Sequence, residues 1–311
     1  MDKIEVSVMN RRCSTRSKGK IKMSKDKFAN DLFGNRMKSY EAVTTSRKAF
    51  KGQPIIARLD GKNFSTFTKG LGRPFDKRMS DLMTRVMTKL VDETQAQIGY
   101  TQSDEITLGW FIDSSSKAEY AYGGRFQKMD SLLAATATGE FIRGINQLIP
   151  EKAHLEPKFD CRTFVVPNLL EAYHEILWRQ HDCTKNAISM AAQSMGFGSR
   201  LHGLNGVQMQ ELMFAERGIN FNDYPAFFKR GTFARRMRVF KPLDQALIDK
   251  LVAKGIKPLE GPIERSEMQI SNAWLQKLED PVGYTFKGAA ETYRTEDGKL
   301  QLPVDKVTSA A

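Results

Sequence analysis

Two rhythms of apolar residues run through this chain. Pro54-Ile55-Ile56-Ala57-Arg58-Leu59 is a short apolar run of strand length, and it ends at Asp60-Gly61. Between Phe75 and Asp92 the rhythm changes. Met79, Leu82, Met83, Val86, Met87 and Leu90 recur at i, i+3, i+4 and i+7 with Asp76 near the start, which predicts an amphipathic helix whose methionines pack a core. Residues 98–111 are apolar again, and Ser103-Asp104 interrupts them as a turn would, so a hairpin is expected. A helix follows from about Gly124 to Leu148, with Phe126, Met129, Leu133, Ala137, Phe141 and Ile145 on one side. Phe159–Val166 alternates as a strand and stops at Pro167. The longest helical pattern, Leu169–Met195, carries Leu169, Tyr173, Ile176, Gln180, Cys183, Ala187 and Ala191 in one stripe. A second face aligns Arg179, Asp182 and Asn186, and Gly196 and Gly198 end the pattern. Shorter helices are expected over 31–45 and 206–216, and a basic strand with Arg235, Arg236 and Arg238 over 229–240.

Strand and helix alternate here without the regular spacing of a doubly wound sheet. The pattern predicts an α+β fold, an antiparallel sheet backed by helices. Residues 1–25 are rich in Arg and Lys among small polar residues and read as a flexible basic arm, solvated or contacting RNA. Residues 26–240 form the main domain, and 241–311 a peripheral segment of polar turns and short apolar runs.

Composition narrows the function. With 311 residues and 41% hydrophobic side chains, the chain has enough apolar surface for a sizeable core. No apolar run reaches the roughly 20 residues of a membrane helix, and the basic N-terminus lacks the apolar centre of a signal peptide. The three cysteines, Cys13, Cys161 and Cys183, have neither paired nor metal-ligand spacing, which suits a reducing cytoplasm. A formal charge of +12 points to a polyanionic partner.

The candidate chemistry lies at the ends of the two strand-like runs. Asp60 closes the first and Asp104-Glu105 the second, so a sheet that pairs the runs brings three carboxylates to one edge. Ordinary solvated or capping carboxylates are one reading. The other is a site for hard divalent cations, which take oxygen ligands and phosphate. Gly61 allows a tight turn close to a ligand, Lys62 and Asn63 add donors, and Ser103 adds a hydroxyl. Arg125 and Lys128 share the opening turn of the next helix, where phosphate is favoured. Competing chemistries lack their residues. His154, His174, His181 and His202 have no zinc spacing, and there is neither a Gly-x-Ser-x-Gly elbow nor a Gly-x4-Gly-Lys-Ser/Thr loop.

Taken together, Arg58-Leu59-Asp60-Gly61-Lys62-Asn63-Phe64 and Gln102-Ser103-Asp104-Glu105 resemble the tRNA-histidine guanylyltransferase family. The resemblance extends through residues 69–78, Phe159-Asp160-Cys161-Arg162, residues 178–183 and residues 218–222. It implies a polymerase- and cyclase-like palm that adds nucleotides in the 3′–5′ direction. A 5′-monophosphorylated tRNA end is adenylylated or guanylylated, and the 3′-hydroxyl of an incoming nucleotide attacks it, with pyrophosphate leaving on completion. Carried over, Asp60 and Asp104 bind two Mg2+ ions with the Gly61 carbonyl, and Glu105 is an essential neighbouring acid. The 60–65 loop, with Lys62, Asn63, Phe64 and Ser65, lines the nucleoside triphosphate site together with Ser103. Arg58, Lys69, Arg125, Lys128 and Asn186 face triphosphate or tRNA phosphates. The resemblance also implies ATP and GTP as substrates, the tRNA acceptor stem as partner, a homotetramer built as a dimer of dimers, and a cytoplasmic enzyme.

One stretch departs from the pattern. Members dedicated to histidine tRNA carry His-Ile-Asn-Asn-Leu-Tyr-Asn after Asp-Cys, whereas this chain has Thr184-Lys185-Asn186-Ala187-Ile188-Ser189-Met190. A basic residue of the next helix is also replaced, near Met209 or Gln210. These losses resemble the branch that repairs 5′-truncated tRNAs against a template, where base pairing selects the nucleotide. Guanylylation of histidine tRNA, a palm-type nucleotide cyclase and a non-catalytic RNA-binding protein are the alternatives.

Overall fold

The computed structural model describes residues 32–257, 261, 263–288, 293–294 and 300–301. The basic arm expected over 1–25 lies outside the described residues. The chain divides into two compact units, 1–46 and 47–311. In the first, α1 spans Leu32–Thr45 and leaves Leu32, Phe33, Tyr40 and Val43 exposed.

The second unit is built on a βαββαβ core. β1 (Ile55–Lys62) leads through a single turn, α2 (Phe64–Phe67), into α3 (Lys77–Thr94). The hairpin of β2 (Ile98–Gln102) and β3 (Glu105–Trp110) follows, then α4 (Phe126–Leu148) and β4 (Lys158–Val165). All pairings are antiparallel, and the sheet order begins β4-β1-β3-β2. The alternation in β1 explains the layering. Ala57 and Leu59 are buried against α3 and α4, together with the apolar stripe of α3 and Met129, Leu133, Ala137, Phe141 and Ile145 of α4. The two helices approach closely at Gly144, where a Cβ would stand 2.2 Å from Leu82 Cδ1. Asp76 caps α3, its carboxylate accepting from the Arg78 backbone N–H at 3.0 Å.

The opposite face of the sheet carries α5 (Leu169–Ser194), capped by Asn168. Its far end packs with α6 (Gly206–Arg217) and α7 (Ala226–Arg230) around Ile188, Ala191, Met213 and Phe228. β5 (Thr232–Lys241) joins β2, α8 (Gln245–Ala253) follows, and β6 (Ile263–Ser271) pairs with β5 to complete six strands in the order β4-β1-β3-β2-β5-β6. A turn of helix, α9 (Pro281–Phe286), and a two-stranded pair, β7 (Tyr293–Arg294) with β8 (Leu300–Gln301), end the described chain.

Two features differ from the reading of the sequence. The boundary expected at residue 240 falls inside β5, and 263–286 is part of the same sheet and core: Ala273, Leu275, Leu278, Tyr284 and Phe286 are buried beneath α5. The apolar runs there are short because each contributes only a few side chains. The basic strand is also less of a charged surface than its composition suggests. Arg235 is buried and donates to the Tyr284 carbonyl at 3.0 Å and to Gln269, while Arg236 pairs with Asp92.

Candidate active site

Strand register brings the acids together. Asp60 stands opposite Glu105 on β3 and opposite Asp160 on β4, so the three side chains share one face of the sheet. Glu105 also pairs with Gln102, leaving Ser103-Asp104 as a two-residue hairpin turn. Ser103 takes the left-handed conformation at φ 49° and donates its hydroxyl to Asp104 Oδ1 at 3.1 Å. Asp60 is exposed, and among the described residues its carboxylate has no hydrogen bond or ion pair. Burial pushes the Asp104 carboxyl up, and the charge of Asp60 adds to the rise against the Ser103 hydrogen bond.

Glu105 is engaged differently. Its Oε1 accepts from Arg179 Nε at 2.6 Å, with both side chains largely buried, and Arg179 donates on to Asp182 at 2.8 Å. Burial raises the Glu105 carboxyl, and Arg179 pulls it back only in part. Burial alone would weaken the charge of Arg179, but Glu105 and Asp182 more than offset it. Asp60 and Asp104 therefore remain open to a ligand while Glu105 is committed to an ion pair.

A cavity of about 380 Å3 opens beside the hairpin. Gln102, Ser103 and Asp104 form one wall, the start of α2 and the 71–76 loop a second, and Cys183, Asn186, Ala187 and Met190 of α5 a third. Met79 and Met83 of α3 and Phe227 and Phe228 of α7 make its floor apolar.

The structure gathers most of the residues expected at the site. Asp60, Asp104 and Glu105 meet at one end of the sheet, and Ser65, Ser103 and Asn186 line the adjoining cavity. Arg58 lies two residues before Asp60 on the same face, its guanidinium 5.8 Å from the Trp178 ring centroid. Lys62 and Asn63 are exposed beside the acids, Asn63 in the left-handed conformation that starts α2. Lys69 is exposed beyond α2, and its carbonyl accepts from Lys152 Nζ at 2.6 Å.

Two expectations change. Gly61 does not turn the chain, since it lies within β1. Glycine is required because a Cβ there would stand 2.3 Å from Phe64 Cδ2. Phe64 itself is 3% exposed and packs against Phe67, Phe141 and Phe159, so it anchors the loop with only an edge on the cavity. Arg125 and Lys128 are not brought to the acids. Arg125 bridges to Lys48, and the neighbouring 49–53 segment meets Ile112 beyond the end of β3, at the Ile55–Trp110 end of the sheet. β3 runs away from the hairpin, so the helix after it begins at the far end. The five steps from Ile55 to Asp60 span roughly 17 Å at about 3.3 Å each.

Among the described residues no three His, Cys, Asp or Glu side chains form a ready metal cluster. The donor set still suits Mg2+, which takes one or two carboxylates and completes its shell with water and substrate phosphate. The unpartnered Asp60 beside Asp104, whose carboxyl is raised by burial and, less, by the charge of Asp60, is such a pair. Sequence reasoning passed over the Arg179–Glu105 pair, and it noted Asp160 and the 71–76 loop only within the family resemblance, without a place at the site. Only the alignment of Arg179 with Asp182 along α5 hinted at the first.

An antiparallel βαββαβ sheet with paired carboxylates at a hairpin end, beside a nucleotide-sized cavity, defines a palm-type nucleotidyltransferase. The family model described as tRNAHis guanylyltransferase (Thg1) matches residues 34–167. A solved bacterial tRNA(His) guanylyltransferase (Thg1)-like protein in complex with ATP is 34% identical, with a TM-score of 0.62 over 65% of this chain and 88% of that one. A solved structure of a bacterial tRNA(His) guanylyltransferase (Thg1)-like protein in complex with GTP is 29% identical, with a TM-score of 0.59 over 78% of this chain and 92% of that one. The tRNA(His) guanylyltransferase of Schizosaccharomyces pombe is 29% identical over 204 residues, 61% of this chain and 75% of the relative. The chain belongs to the tRNAHis guanylyltransferase family.

Proposed function

We propose that this chain adds nucleotides to the 5′ end of tRNA in the 3′–5′ direction, choosing them against a template strand. The observation that carries this reading is the meeting of the unpartnered Asp60 with Asp104 beside the cavity. Asp60, Asp104 and the Gly61 carbonyl would hold two Mg2+ ions. Bound there, they would supply charge neutralisation for phosphate during transfer. Ser65, Ser103 and Asn186 orient an ATP or GTP in the cavity, and Lys62, Asn63 and Arg58 offer donors to phosphate beside the acids. The activating nucleotide is joined to the 5′ phosphate with loss of pyrophosphate. The 3′-hydroxyl of the incoming nucleotide then bonds to that phosphorus and displaces the activating nucleotide. Glu105, held by Arg179, fixes the hairpin end on which Asp104 stands. A homotetramer in the cytoplasm completes this reading; among the described residues no helix is long and apolar enough to cross a membrane.

Templating is supported by the cavity wall. Asn186, Ala187 and Met190 line it where dedicated guanylyltransferases carry the His-Ile-Asn-Asn-Leu-Tyr-Asn run, so little on that side reads a base. Guanylylation of histidine tRNA is the second reading, favoured by the relatives that carry that name. Extension of 5′-truncated tRNAs with single nucleotides separates the two. Incorporation that follows the opposing base supports templating. Addition of guanosine whatever the opposing base overturns it in favour of the second reading. A cyclic nucleotide formed from GTP without RNA refutes both.

A further inference from the structure

We propose that Trp178 is a stacking platform for the terminal base of the RNA strand whose 5′ end reacts. This rests on the nucleotidyltransferase reading above and deepens it by placing the second reactant. Trp178 stands on α5 between the buried Ile176 and the buried Arg179, yet its own side is 52% exposed. Two guanidiniums face its ring, Arg179 at 4.2 Å from the centroid and Arg58 at 5.8 Å. Arg179 is itself locked by Glu105 and Asp182. The indole is therefore held by the same ion pairs that hold the hairpin end, and its exposed area is pre-positioned.

The surroundings point to a nucleic acid. Across the β1–β4 pairing Arg162 stands directly opposite Arg58 and is exposed, so a second guanidinium shares the sheet face that carries Arg58 and can meet a backbone phosphate there. Asp160 pairs with Arg162 at 3.1 Å and Glu175 lies near Arg58 and Arg179, which leaves the net charge of this shelf small. Phosphate attraction alone is thus a poor account of the surface, and the exposed aromatic is its distinguishing feature. A base offers a π-face whatever its identity, which suits an enzyme that extends many ends.

Neither Trp178 nor Arg58 lines the cavity. Asp104 borders the cavity, whereas Asp60 lies next to Arg58 on the platform side, so the carboxylates stand between the two surfaces. A nucleoside triphosphate in the cavity and an RNA end on Trp178 would meet at the acids from opposite sides.

The test uses a 5′-phosphorylated tRNA carrying 2-aminopurine at its 5′-terminal nucleotide. Stacking on the wild-type protein quenches its fluorescence. In Trp178→Ala the quench is lost, and both the Kd and the KM for RNA rise about tenfold, the effect of one lost base–aromatic stack. The KM for nucleoside triphosphate does not move, and Trp178→Phe restores both quench and affinity. A Trp178→Ala protein that quenches and binds like wild type overturns the platform while leaving the enzyme reading intact. Failure of Trp178→Phe to restore the quench, with its melt unchanged, also overturns it. A wild-type protein that neither binds nor extends the RNA overturns both.

Discussion

Replacing Arg179 by Met tests whether the acid end of the sheet is held together by its buried ion pair. Arg179 is 8% exposed and Glu105 12%, and their contact is 2.6 Å. Removing one member of such a pair leaves an uncompensated buried carboxylate, a loss of about 3–5 kcal/mol. The second contact, to Asp182, reaches a side chain 32% exposed, where water can substitute. We therefore expect about 3 kcal/mol at neutral pH, read from urea denaturation of wild type and variant. The Glu105 carboxyl, already raised by burial, rises further without Arg179. A raised carboxyl favours the protonated folded state, so the penalty is full above its folded pKa and shrinks as pH falls towards the unfolded value near 4.5. Removing both partners, as Arg179→Met with Glu105→Leu, restores most of the lost stability, because an apolar pair of similar size replaces the ions. A single variant within about 0.5 kcal/mol of wild type would refute this reasoning, since that is the range of an ordinary surface change. So would a double variant as unstable as the single one.

Gly61→Ala forces the Phe64 ring from its place among Phe67, Phe141 and Phe159. It should cost about 1–3 kcal/mol in a denaturation curve and lower nucleotide affinity with it. Asp76→Ala removes the cap of α3 and one of the two carboxylate partners of Arg78, the other being Glu151, about 1 kcal/mol at neutral pH. The Arg78 side chain holds the Asp76 carboxyl down at about 2 against an ordinary 3.8. That stabilisation is present above about 3.8 and is lost as pH falls towards 2, so wild type and variant should converge in acid melts. Arg125→Ala and Lys128→Ala lie at the far end of the sheet, and nucleoside triphosphate affinity should stay within about twofold, the effect expected of screened, distant charges. A tenfold loss measured by isothermal titration would contradict that placement.

The acids were legible in the sequence because strand ends and hairpin turns are local signals. Asp60 closes an apolar run and Ser103-Asp104 breaks another, and pairing those runs suffices to bring them together. What was not legible is set by direction and by distant partners. The opening turn of α4 reads as a phosphate site, but only the course of β3 away from the hairpin says at which end of the sheet it begins. Glu105 and Arg179 stand far apart in the chain, and nothing local marks them as a pair. Gln180 fell within an apolar stripe without an evident reason. In the structure its amide donates to the Ala273 carbonyl and accepts from the Leu275 N–H, tying the C-terminal segment to α5. That buried amide also explains why a segment with only short apolar runs belongs to the core. Gly61 was identified correctly as a position needing glycine, but for a turn, whereas the constraint is a ring packed across the strand.

The central claim is that Asp60 and Asp104 together hold the cations on which nucleotide transfer depends. Its most direct measurement is Mn2+ binding, read by electron paramagnetic resonance, to wild type, Asp60→Asn and Asp104→Asn with ATP present, alongside extension of a 5′-truncated tRNA. Asp60 has no partner to lose, so Asp60→Asn should melt like wild type. The account predicts that each variant loses tight Mn2+ binding and at least about a hundredfold in extension rate, the scale on which electrostatic stabilisation of a transition state acts. Variants that stay folded, bind Mn2+ as wild type does and still extend the tRNA would contradict it.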